Sequence, residues 1–107
     1  MSNTMPAPVP PFSRDYKIGL LERLREPEYA VIYIQACARE SRQAFLLALR
    51  DVVDATGGMT KLAKLSSRSR ENLYRALHLG GNPRLDTLWA ITKVLGLRIT
   101  VEAKNAE

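Results

Sequence analysis

The 107-residue chain has one cysteine, Cys37, and one histidine, His78. A single thiol cannot close an internal disulfide, and no CxxC pair or Cys/His cluster offers zinc-ligand spacing. Cys37 lies in the apolar stretch YIQACARE (33–40), where a buried structural thiol is expected rather than a nucleophile. His78 has no evident nucleophile partner, Asp51 and Asp54 sit on a helix flank, and no glycine loop of the phosphate-cradling kind occurs. No enzymatic activity, no cofactor and no metal site are therefore expected. No apolar run approaches the roughly 20 residues of a membrane span. The opening MSNTMPAPVPPF also lacks the basic segment and long apolar core of a secretory signal. A cytoplasmic protein without a membrane partner is the reading that fits.

What remains has the balance of an ordinary globular domain, 46% apolar and 25% charged. Four of the six prolines fall between Pro6 and Pro11, so residues 1–13 are read as a disordered, proline-rich tail rather than a proline-motif ligand. Net charge is +5, and its placement is uneven. Residues 15–58 sum to −1, whereas 59–78 set Lys61, Lys64, Arg68, Arg70 and Arg75 against Glu71 alone, for +4. A local basic patch on a balanced chain suits a polyanion such as nucleic acid, although charge alone allows a merely solvated face.

Apolar spacing predicts a single helical domain over 14–103. Ile18, Leu21 and Leu24, with Leu20, form a first stripe, which Pro27 ends while opening the next helix. Residues 28–40 carry β-branched side chains that would suit a strand. The spacing of Tyr29, Ile32, Tyr33, Ala36 and Cys37 nevertheless favours a helix. Ser41 is a natural N-cap for 42–56, where Phe45, Leu49, Val52 and Val53 keep the helical period and Gly57-Gly58 closes it. Two short helices follow over 59–65 and 70–77, then a third over 84–96 with Leu85, Leu88, Trp89, Ile91, Thr92 and Leu95 at helical spacing. Trp89 is expected in the core and His78 on the surface. Residues 97–103 alternate Leu97, Ile99 and Val101 with Arg98, Thr100 and Glu102, the pattern of a half-buried strand. A lone strand needs a partner, so pairing with its copy across a homodimer axis is expected.

Two short helices joined by a tight turn, with a small residue, Ala63, at the fifth position of the first, fit the helix-turn-helix plan. The residues GGMTKLAKLSSRSRENLYRAL and GNPRLDTLWAITKVLGL also resemble the lambda-repressor-like (XRE) helix-turn-helix proteins. More narrowly, they resemble the HigA-type addiction-module antidotes. The resemblance rests on Gly58, Met59, Thr60, Leu62, Ala63, Ser69, Arg70, Glu71, Leu73, Tyr74, Ala76 and Leu77, and downstream on Gly81, Asn82, Pro83, Thr87, Leu88, Leu95, Gly96 and Leu97. It covers about residues 15–102. It implies an all-α fold with N-terminal helices, a helix-turn-helix core at about 42–97 and the motif itself at 59–78. Ser67 and Arg68 stand where that family has Gly-Leu, so Ser67 is expected to carry backbone strain of order 1 kcal/mol. Arg68 is expected either to reach outward to phosphate or to change the local packing.

In this docking mode the N-terminal residues of the second helix meet base edges. Ser69 is the expected cap. Arg70 is the candidate guanine contact and Asn72 the candidate adenine contact. Arg75 is read as a base or phosphate contact. Glu71 either accepts from cytosine or pairs with Arg68 or Arg75, and Tyr74 either reads DNA or packs on the domain. Lys61, Lys64, Arg68 and Ser69 are read as backbone contacts, with Asn82 and Arg84 at a further phosphate. The resemblance adds a cognate RelE-like toxin as partner, and implies a homodimer repressing its own toxin–antitoxin operon on double-stranded operator DNA. Two other functions fit the same residues: a stand-alone XRE-type repressor without a toxin, and a protein-interaction adaptor that has lost DNA binding.

Overall fold

A computed structural model describes residues 14–105. The proline-rich segment 1–13, read as a disordered tail, lies outside them. The described residues form six helices and no strand: α1 (Arg14–Arg23), α2 (Pro27–Glu40), α3 (Arg42–Ala55), α4 (Gly58–Ser66), α5 (Arg70–Leu77) and α6 (Leu85–Val94). None of these helices is long and apolar enough to cross a membrane.

Helix α3 is the hub, packing against α1, α2, α4 and α5, while α4 also touches α6. Its sequence explains this, because Leu46, Ala48, Leu49, Val52 and Val53 bury more than one flank of a single helix. Around it gather Leu20 and Leu24 from the α1 region, Ala30 and Ile34 of α2, Met59 and Leu62 of α4, Leu73, Ala76 and Leu77 of α5, and Ile91 of α6. At roughly 25 cal/mol for each Å² of apolar surface removed from water, side chains of this size each supply about 1.5–3 kcal/mol.

The joints follow from local chemistry. Pro27 occupies the first turn of α2, where its missing N–H leaves no bond unmade. Ser41 serves two helices. Its N–H donates to the Cys37 carbonyl at the end of α2 (3.2 Å), and its Oγ accepts from the Ala44 N–H at the start of α3 (3.0 Å). Across the bundle, Asp51 of α3 accepts from Lys17 Nζ of α1 (2.8 Å) and from the Tyr33 hydroxyl of α2 (2.7 Å), tying three helices through one carboxylate. Burial pushes the Tyr33 phenol well above its ordinary range, and the bond to Asp51 pushes it further. Burial likewise raises the Cys37 thiol, which is half-buried rather than fully enclosed.

Three expectations are corrected. Residues 97–103 form no strand. They run as irregular chain, with Leu97 and Ile99 half-buried along a groove of about 400 Å³ that Val31, Ile34, Phe45, Leu49 and Leu88 also line. The alternation of side chains survives as far as Thr100, but a single chain supplies no second strand to complete a ladder, and Val101 is fully exposed. The expected dimer pairing through this strand therefore has no support. Trp89 is not in the core: it is 53% exposed, next to exposed Leu85 one turn back, while Ile91 and Thr92 face inward. Around α1 the expected Leu20 and Leu24 are buried, but Ile18 points outward at 52% exposure. On α2 the buried stripe is rotated from the expected one: Ala30 and Ile34 are buried, whereas Ile32 is 65% exposed.

Candidate nucleic-acid interface

Helices α4 and α5 are joined by Ser67, Arg68 and Ser69, and every one of these residues has a definable backbone task. Ser67 adopts the left-handed conformation (φ 58°, ψ 35°), the only non-glycine with positive φ among the described residues. This reversal lets the Arg68 N–H reach back to the Ala63 carbonyl (3.3 Å), the closure that ends many helices. Chain direction then changes at Ser69, whose Oγ accepts from the Asn72 N–H (3.1 Å) and caps α5. The expected strain position and the expected cap are both observed.

Once capped, α5 divides cleanly. Leu73, Ala76 and Leu77 are buried, and Leu73 and Leu77 are completely enclosed. The remaining residues Arg70, Glu71, Asn72, Tyr74 and Arg75 are all exposed. Arg75 Nη1 donates to Asn72 Oδ1 (3.3 Å), so these two side chains form a pair on the outer face. The Arg50 guanidinium of α3 lies over the Tyr74 ring, 5.4 Å from its centroid. Tyr74 is thus an exposed ring with a cation over one face. Lys61 and Lys64 are exposed on α4.

Beyond α5 the chain turns through Gly80, at φ 84°, and Gly81, whose N–H donates to the His78 carbonyl (2.8 Å). Arg42 Nη1, at the start of α3, donates to the Gly81 carbonyl (2.9 Å) and fixes this loop against the bundle. Gly81 is buried, and a Cβ there would lie 2.5 Å from the Ala76 carbonyl oxygen. Exposed Asn82 and Arg84 follow, and with Arg68, Asn72, Arg75 and Asp86 they line an open cleft of about 490 Å³ between α5 and the start of α6.

Arg68 does not reach freely into solvent. Its Nη2 donates to the Asp86 main-chain oxygen (3.3 Å) and lies 4.0 Å from the Asp86 carboxylate, while its Nε is enclosed without a hydrogen-bond partner. Arg84 Nε approaches the other carboxylate oxygen of Asp86 at 3.5 Å. The packing alternative therefore describes Arg68. Its acidic partner is Asp86 of α6 rather than Glu71, for which no ion pair occurs among the described residues. Two residues of this surface, Arg50 and Asp86, escaped sequence reading. Arg50 falls among the balanced charges of 15–58, and Asp86 lies outside the basic stretch 59–78.

The geometry defines a class: a small all-α domain that presents a capped, basic helix end across a short turn from a second helix. Its kinship is narrower. A family model described as "probable addiction module antidote protein" matches residues 16–103, and the chain belongs to that family. It is 33% identical over 90 residues to an uncharacterized protein of Haemophilus influenzae, an alignment spanning 83% of this chain and 90% of the relative. No solved structure matches it significantly.

Proposed function

We propose that this chain is a DNA-binding antitoxin. In this reading it binds and neutralises a RelE-like toxin, and represses its own operon as a homodimer through a helix-turn-helix of the lambda-repressor-like, HigA type formed by α4 and α5. The toxin half of the proposal rests on membership in the antidote family. The DNA half rests on one observation: α5 buries Leu73, Ala76 and Leu77 while its outer face and N-terminal turn expose Arg70, Asn72, Tyr74 and Arg75 in a segment carrying +4. Arg70 carries no hydrogen bond or ion pair among those the described residues show, and it stands at the first position of α5, so it is the leading base-reading residue. Antidote membership favours this reading over a stand-alone repressor.

The test is binding to a duplex carrying the gene's upstream region, titrated against salt. Affinity falling steeply with salt, and lost about 10-fold or more in Arg70→Ala, supports the operator reading, since a bidentate base contact is worth ~1–3 kcal/mol. Absence of binding at low salt overturns it.

A further inference from the structure

The cleft between α5 and α6 contains one carboxylate among several cations, and both of its oxygens face arginines. Asp86 stands 4.0 Å from Arg68 and 3.5 Å from Arg84, in the cleft that Arg75 and Asn72 of α5 also line. Resting on the DNA reading above, we propose that Asp86 is an intramolecular competitor for a DNA backbone phosphate. It occupies the anion position of this cleft in the free protein and thereby limits the affinity of the surface for duplexes of any sequence.

Two observations and one chemical likeness carry this. Arg84 is 86% exposed and Asp86 63% exposed, so their contact is a solvated ion pair that another anion can displace at little cost. Arg68 is anchored chiefly through the main-chain oxygen of Asp86, so its position in the cleft does not depend on the carboxylate. Charge is therefore the main property that the carboxylate adds. A phosphodiester offers the same pair of acceptor oxygens with a formal negative charge, and arginine forks suit both groups. The bland role for Asp86 is a favourable charge in the first turn of α6, which would affect stability alone.

The two roles separate in Asp86→Asn, which keeps shape and main chain. If the carboxylate competes with phosphate, releasing Arg68 and Arg84 adds about one phosphate contact. The salt dependence of log K then steepens by ~0.9 and affinity for a random duplex rises about 5- to 10-fold at ~0.1 M salt. Asp86→Glu should bind like the wild type, and Arg84→Ala combined with Asp86→Asn should lose most of the gain. Fluorescence anisotropy on a random duplex and on the upstream duplex reads all of these, with thermal melting as the folding control. Wild-type binding with an unchanged or weaker Asp86→Asn slope and affinity overturns the Asp86 proposal alone. Failure of both proteins to bind either duplex at low salt overturns the DNA reading and this inference with it.

Discussion

Replacing Ser67 by glycine should stabilise the protein, and the fold supplies its own reference for the size of the effect. Two helices end in the same way. After α4 the Arg68 N–H returns to the Ala63 carbonyl (3.3 Å), and after α6 the Leu97 N–H returns to the Thr92 carbonyl (2.8 Å), each bond spanning five residues. The left-handed residue before the returning N–H is Gly96 (φ 75°) in the second case and Ser67 (φ 58°) in the first. A Cβ in that conformation costs roughly 1–2 kcal/mol. Glycine removes this cost but loses about 0.4–1 kcal/mol through greater freedom of the unfolded chain. Taking the middle of both ranges, the net expectation for Ser67→Gly is a gain of about 0.8 kcal/mol, or ~3–6 °C in Tm for a domain of this size. Urea unfolding followed by far-UV circular dichroism should show a higher midpoint with an unchanged slope. A midpoint equal to or below the wild type would refute the reasoning, because it would mean that Ser67 is not strained or that its side chain supports the turn.

Two further outcomes test the supports of the site. Gly81→Ala should cost about 1–3 kcal/mol, since its Cβ would meet the carbonyl oxygens of Ala76 at 2.5 Å and of Arg75 and His78 at 2.9 Å, all of them backbone; an unchanged urea midpoint would contradict that crowding. Tyr33→Phe should weaken the fold near neutral pH by about 1 kcal/mol, through loss of the 2.7 Å bond to Asp51. It should also flatten the alkaline limb of stability. The folded phenol titrates above its ordinary value of 10.0, so its contribution is complete below pH 10.0 and drains away as pH rises further and the unfolded chain ionises first. Melting curves taken upward from neutral pH check this, and equal alkaline slopes in the two proteins would rule it out.

Helix existence was legible because its signals are local. Pro27, Ser41 and Ser69 each mark a helix start through a bond or a missing bond within their own turn, and the structure uses all three as expected. Which face each helix buries was less legible. On α2 the apolar residues run almost continuously from Tyr29 to Ile34, so periodicity alone could not choose between Ile32 and Ile34. The choice was made by α3, which covers Ala30 and Ile34 and leaves Ile32 in water. Trp89 failed for the same reason, since α6 presents Ile91 and Thr92 to its neighbours. The segment 97–103 failed differently. Alternation records which side chains prefer shelter, and Leu97 and Ile99 do find it, but a strand also needs a second backbone.

Electrostatics at the candidate site shows most sharply what linear reading misses. Counting charges over 59–78 treats its five cations as equivalent, yet folding brings Asp86 from 18 positions downstream against Arg68 and brings Arg50 from α3 behind Tyr74. The first change removes much of one positive charge from the surface and the second restores one at a place the count put in a near-neutral segment. Net charge near α5 is therefore similar to the linear tally, but its distribution is not. Arg70 stands clear at the start of the helix, Arg75 is held by Asn72, and Arg68 and Arg84 share a carboxylate. On the proposed DNA reading, these cations rank by how freely each can reach a phosphate oxygen. That ranking places Arg70 first, Arg84 next and Arg68 last, and single alanine substitutions at these positions should lower duplex affinity in the same order.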